Sequence, residues 1–527
     1  MNRRDFVKWT AAAAAGAMST NAFGGDLLGD APASFEEVTL TELQVAMSSG
    51  KTSSRALTQW YLTRIATLDK KVNSIIEVNP DALAIAAERD RERHAGKVRG
   101  PLHGIPIVIK DNIETADKMK TTAGSLALVD APTPKQDAFL VARLREAGAV
   151  LIGKTNLSEW ANFRDGASIS GWSGRGRQTH NPYILDRNAC GSSSGTGAAI
   201  AANFAAIGIG TETDGSIVCP SSICGIVGIK PTVGLVSRSG IIPISANQDT
   251  AGPMCRSVAD AAALLNIIDA ADPQDGATTA RGKRERIDYT TILRTDGLRG
   301  MRIGVARDYY GKSADVDAII DASLAKIKQL GATVVDIKIP NLGKYDDAEN
   351  TVLQYDFKAQ IDDYLRDRGG RMRSLEDLIK FNNDNAAKEM PYFKQSIFEA
   401  SQKRGDLKTK EYRDALEMCR KLSREEGIDA VMKKEKLDAI VAHSNAPTWL
   451  IDTVNGDCFS SYIGSSTPAA VAGYPAITLP AGFLKELPIG ITFMGGAWQE
   501  AALIRMAFAY EQATKARRAP KFLATYA

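Results

Sequence analysis

An α/β fold, a single large domain on a mixed, mostly parallel twisted sheet covered by helices on both faces, follows from three observations. First, short continuous apolar runs bounded by Gly and Pro, such as residues 101–109 and 149–153, read as strands buried on both faces. Second, segments with apolar residues at three- and four-residue spacing, such as 138–147 and 315–330, read as helices alternating with those runs. Third, no low-complexity linker and no internal repeat interrupts the 527 residues, which favours one large domain.

Taken in order, residues 35–68 are helical in period, with Thr39 and Thr41 placed to cap a helix start. Residues 81–95 predict a second helix. The run ending Ile107-Val108-Ile109 is a strand that stops at Lys110-Asp111-Asn112, and the strand at 149–153 leads into Lys154-Thr155-Asn156. A Gly/Ser-rich stretch at 190–197 precedes a helix at 198–206, a strand at 207–211 and a turn at Glu212-Thr213-Asp214-Gly215-Ser216. Short strands at 225–229 and 235–237 flank Lys230-Pro231-Thr232. A strand, helix and strand follow at 301–306, 315–330 and 332–339. Residues 345–436 are charged, helical in period and poor in strand formers, and read as a helical excursion. Strands return at 439–442 and 476–479, and 499–517 is a last helix.

The net charge of +3 comes from 65 basic and 62 acidic residues interspersed along the chain. That pattern offers no basic stripe for nucleic acid or a membrane surface. Six cysteines and four scattered histidines contain no CxxC pair and no clustered ligand set, so no metal is expected. The cysteines read as small buried apolar residues; Cys219 and Cys224 are close enough in sequence to be bridged, which the sequence leaves open.

The first residues carry an address. Arg3-Arg4-Asp5-Phe6-Val7-Lys8 precedes a small apolar run at 11–18, resembling a twin-arginine export signal. The run is far shorter than the roughly 20 residues that span a bilayer. Cleavage after Ala22 or Ala33 is expected, so residues 1–33 stand outside the fold and 34–527 form the domain, destined for the periplasm or secretion. Cargo of this route folds before export.

Two short motifs mislead. Gly191-Ser192-Ser193-Ser194-Gly195 matches G-x-S-x-G, but an elbow needs a strand immediately before it, and residues 179–188 are polar and Pro-broken. A histidine esterase built on Ser193 would also rest on His443 alone. Ser323-Leu324-Ala325-Lys326 matches S-x-x-K in mid-helix without companion motifs and reads as a solvated face.

Three segments in order carry more. Gly104-Ile105-Pro106-Ile107-Val108-Ile109-Lys110 ends a buried strand on a lysine. Cys190-Gly191-Ser192-Ser193-Ser194-Gly195-Thr196-Gly197 is a serine-dense loop before a helix. Gly210-Thr211-Glu212-Thr213-Asp214-Gly215-Ser216-Ile217 places a serine on a turn, 24 positions after Ser192. Together they resemble the amidase signature family, with Cys190 and Ser194 standing where its first pattern usually has glycine. The resemblance extends over nearly all of the mature chain, through Gly228-Ile229-Lys230-Pro231-Thr232, Asp249-Thr250-Ala251-Gly252-Pro253 and Ala472-Gly473-Tyr474-Pro475.

The resemblance implies a single amidase-signature domain and a Ser–Ser–Lys triad: Lys110 as base, Ser192 as bridging serine on a cis peptide, and Ser216 as nucleophile. It also implies an oxyanion hole from the amides of Thr213, Asp214, Gly215 and Ser216. The chemistry suits the residue types. A serine hydroxyl needs a positioned base, and a lysine serves as one only if burial keeps it neutral. Asp214 departs from the family's usual glycine and is expected to face away from the developing charge. Lys154 is expected to be structural. The Thr-Glu-Thr-Asp-Gly-Ser turn, with Gln248-Asp249-Thr250-Ala251-Gly252-Pro253-Met254, resembles bacterial peptide amidases, which remove the C-terminal amide of peptides.

The alternatives are an amidase for small aliphatic or aromatic amides, an amidotransferase A-type subunit, and a non-catalytic receptor on this scaffold. The export signal opposes the second, and retention of all three triad residues opposes the third. No cofactor is required, the expected ligand is an amide or amidated peptide, and a monomer is expected.

Overall fold

Every residue of the strands Pro106–Lys110 (β2), Val150–Thr155 (β3) and Ile207–Glu212 (β4) is buried. Because successive side chains in a strand point to opposite faces, these runs require cover on both sides of the sheet. The computed structural model describes residues 34–282, 286–458 and 462–526. The expected export signal lies outside the described residues.

Around these three strands the described residues build an 11-stranded sheet. Its other members are Ile75–Val78 (β1), Val227–Lys230 (β5), Thr250–Cys255 (β6), Arg302–Ala306 (β7), Thr333–Ile337 (β8), Ala439–His443 (β9), Ala476–Leu484 (β10) and Leu487–Met494 (β11). The order across the sheet is β1-β3-β2-β4-β6-β5-β10-β11-β9-β7-β8.

The sheet is mixed, in one α/β domain as expected, but its balance differs from the expectation of mostly parallel strands. Pairs β2–β3, β2–β4, β7–β8 and β7–β9 are parallel, and the other six are antiparallel. Two strands the sequence concealed account for much of this. β6 carries Gly252 and Pro253, both poor strand formers, yet it pairs antiparallel with β4 and β5. β11 returns from β10 as a hairpin, with the turn residue Lys485 in the left-handed region at φ 58°.

Local signals account for the helix boundaries. The expected first helix is two: Leu40–Ser48, opened by a Thr39/Glu42 capping box, and Ser54–Val72, opened by the Ser53 hydroxyl. Ser194–Ala201 starts four residues earlier than the periodicity implied, directly out of the serine-rich stretch. Residues 235–237 form no strand, since Val236 makes only isolated bridges.

The helical excursion runs from Asp346–Arg368 through Asp429–Glu435. It packs Phe357, Ile361, Leu365, Leu375, Leu378 and Phe398 against Trp160 and Ile242, covering the segments beside the site. Among the described residues no helix is long and apolar enough to cross a membrane.

Candidate active site

β2 and β4 run parallel, so their carboxyl ends meet at one edge, where α/β sheets present their ligand sites. Lys110 is the last residue of β2, and β4 leads into the turn that carries Ser216. The third segment, Cys190 to Ser193, lies across that edge. A side chain at Gly191 would collide with the Ser158 hydroxyl, which is why this close approach takes glycine. The Gly191–Ser192 peptide is cis.

Lys110 is completely buried. Its Nζ lies 2.8 Å from Ser192 Oγ, 2.9 Å from Thr211 Oγ1 and 3.2 Å from the Thr211 carbonyl oxygen. Asn112 Nδ2 donates to the same Thr211 hydroxyl at 2.9 Å and fixes it. Burial brings the lysine pKa down to about 7, against the opposing pull of the Asp249 and Glu212 charges. In the neutral form two N–H bonds stay on the Thr211 oxygens and the lone pair faces the Ser192 hydroxyl. Lys154, also fully buried, donates instead to the Ile113 carbonyl and, at 2.9 Å, to Thr121 Oγ1, so it belongs to a different network.

The turn is held from inside and outside. Glu212 Oε2 accepts from the amides of Ile217 (2.6 Å) and Val218 (2.9 Å), closing the loop on itself. Thr213 Oγ1 donates to Asp249 Oδ1 at 2.6 Å, and Asp249 Oδ2 accepts from the amides of Ile244 and Ser245 at 2.7 and 2.9 Å. Asp214 turns away, accepting from Thr467 Oγ1 at 2.7 Å, and burial raises its pKa. Gly215 takes φ 78°, a conformation glycine reaches without strain.

Among the described residues the amides of Thr213, Asp214, Gly215 and Ser216 have no hydrogen-bond acceptor. Four consecutive unspent N–H groups on one turn are an anion-binding arrangement. Ser216 is 7% exposed, and no hydrogen bond joins its hydroxyl to that of Ser192. A cavity of ≈230 Å³ borders the network, lined by Asn112, Thr211, Thr213 and Asp249 on its polar side and by Ile241 and Ile244 on its apolar side.

Two expectations are corrected or narrowed, and the rejection of a third motif holds. Cys219 bridges Cys190, not Cys224, which remains a buried thiol. Cys219 and Cys224 lie five positions apart along the helix Val218–Ile223 and its cap, and five residues of helix turn their side chains to different sides. Ser323 is not solvated: it is 4% exposed, donates to the Ile319 carbonyl at 3.0 Å and accepts from the Tyr510 hydroxyl at 2.8 Å. Ser193 has no histidine base, since its hydroxyl binds Thr211 O at 3.0 Å while His443 Nε2 pairs with Asp317 Oδ1 at 2.9 Å.

Residues that sequence reasoning passed over as site residues are Thr211, which holds Lys110, Asn112, which fixes the Thr211 hydroxyl, Asp249, which holds Thr213, and Thr467, which holds Asp214. The only signal for Asp249 was its place in a motif matched as a whole, and Thr467 carried none.

The family model described as Amidase matches residues 56–504, and the model of the twin-arginine translocation signal matches residues 1–19. The structure of a native peptide amidase from Stenotrophomonas maltophilia is 50% identical, covering 93% of this chain and 99% of that one, with a TM-score of 0.88. A protein of Arabidopsis thaliana described as a probable amidase is 40% identical over 93% of each chain. A glutamyl-tRNA(Gln) amidotransferase subunit from Acinetobacter baumannii is 35% identical over 90% of this chain and 96% of its own.

Proposed function

The chain belongs to the amidase family, and on that premise we propose that it is an exported hydrolase that cleaves the C-terminal carboxamide of peptides, releasing ammonia and leaving a free carboxylate. The reading rests above all on one observation: a fully buried lysine 2.8 Å from Ser192 Oγ, beside a turn whose four unspent amides run from Thr213 to Ser216. The peptide substrate is supported by the 50% identity to a peptide amidase. The export signal at residues 1–19 favours a free-standing enzyme over an amidotransferase component. It also favours a mature domain of about residues 34–527 acting in the periplasm or outside the cell.

In this mechanism neutral Lys110 accepts the Ser192 proton as Ser192 accepts that of Ser216. Ser216 Oγ attacks the amide carbon, and the oxygen of the tetrahedral intermediate takes up its charge against the amides of residues 213–216. The relay returns a proton to nitrogen, the C–N bond breaks and ammonia leaves an acyl ester on Ser216. Water, deprotonated along the same path, attacks that ester and releases the peptide carboxylate. Asp214 is directed at Thr467, which keeps its charge off the oxyanion.

Ammonia release from an amidated dipeptide and from a small aliphatic amide, by the wild type and by Ser216→Ala, tests the proposal. Release from the dipeptide amide, lost in Ser216→Ala, is the expected result. Turnover of the small amide alone would overturn the peptide reading, and full activity in Ser216→Ala would overturn the nucleophile.

A further inference from the structure

Ser192 and Ser216 arrive on separate segments, yet the relay needs their hydroxyls within hydrogen-bond reach. One backbone bond ties the segments beside them, Ser193 N to Ser216 O at 3.2 Å, and Ser193 Oγ adds a tie to Thr211. The covalent tie is the Cys190–Cys219 disulfide, with Cα atoms 6.1 Å apart. It joins a residue two positions before Ser192 to one three positions after Ser216, so it straddles the pair.

Two further features set this bridge apart from a general staple. Cys190 sits at φ 57°, in the left-handed region where glycine is cheaper, so a side chain is kept there despite its backbone preference. Both sulfurs belong to a buried cluster with Ile223 and Trp449, against which Tyr462 packs. Apolar and aromatic side chains therefore brace the bridge.

We propose that Cys190 and Cys219 are positioning residues: closed, their disulfide holds Ser192 against Ser216, and opened, it lets the two segments part so that the nucleophile loses its base. The inference rests on the triad reading above. Closure removes two electrons and two protons from the two thiols and passes them to a disulfide oxidant, which becomes a dithiol; opening is the reverse, with a dithiol as reductant. A chain that folds among cytosolic thiols and is then exported meets both conditions, so the active site tightens after export.

The test uses the mature enzyme, oxidised or treated with dithiothreitol. Alkylation after denaturation distinguishes the two states, because opening the bridge adds the Cys190 and Cys219 thiols to those already present. The first readout is the rate at which a fluorophosphonate labels Ser216, which reports nucleophile activation whatever the substrate. The second is kcat and KM on an amidated dipeptide. In the opened enzyme, labelling and kcat should fall by about tenfold or more with KM changed less than about twofold, at temperatures well below unfolding, and reoxidation should restore both. Cys190→Ser and Cys219→Ser should resemble the reduced enzyme and ignore dithiothreitol. Equal labelling of the bridged, opened and variant enzymes overturns the clamp alone. Absence of labelling in every state overturns the triad reading and the clamp with it.

Discussion

Lys110 decides whether the proposed relay runs at neutral pH. Burial costs its ammonium form the solvation of water and brings the pKa to about 7, while Asp249 and Glu212 pull the other way without restoring the usual value. A base must be neutral to accept a proton, and a lysine is protonated below its pKa. Activity should therefore fall as pH drops through about 7 and level off above it. Lys110→Ala should lower kcat on the order of 10³-fold and abolish that limb, with the unfolding transition little changed. A pH–rate profile of both proteins checks this, and near-normal turnover in the variant would remove the lysine from the mechanism.

Among elements, the segment after β3 and the helical excursion depend on each other through buried charge. Arg164 is fully buried, donating to Glu159 Oε1 at 2.8 Å and to the Glu389 carbonyl at 2.7 Å, over the Phe393 ring at 4.2 Å. Glu389 closes the helix Ala386–Glu389 of the excursion, and its Oε1 accepts from the Leu126 amide at 2.6 Å. The pair thus pins the excursion to the segments that flank the site. Removing one partner of such a pair leaves the other buried and unpaired, so Arg164→Met should destabilise by about 3–5 kcal/mol in denaturant titration. Burial already raises the Glu159 pKa. Without the arginine that carboxyl must be protonated to stay inside, so the loss should grow as pH rises. A pH-independent change below about 1 kcal/mol would show the pair to be dispensable.

For the whole molecule, the sheet gathers into one edge residues that are far apart in the chain, and the N-terminal signal directs the folded result out of the cytosol. Arg3→Lys with Arg4→Lys keeps the charge but removes the arginine pair that the signal model matches at residues 1–19. The precursor should then accumulate in the cytosol, measured by fractionation and immunoblot of cells expressing either form. Undiminished export would assign that segment another role.

Much of this protein is legible one residue at a time. The apolar runs that became β2, β3 and β4 carry their own burial, the capping residue Thr39 marks its own helix, and Lys110, Ser192 and Ser216 stand in a fixed order and spacing. Such features are local, and a window of a few residues contains their physical cause. Long-range pairing has no such window. Gly252 and Pro253 speak against a strand until β4 and β5 lie on either side of them. The partner of Cys219 is set by a 6.1 Å separation across two segments, not by the five-residue spacing to Cys224. Thr211 and Asp249 became supports of the site because folding brought their oxygens to Lys110 and Thr213. The reactive groups available to this protein and the strands that carry them are thus written in local residue order; which groups brace them emerges only on folding, because hydrogen-bond and disulfide partners are chosen by distance in space.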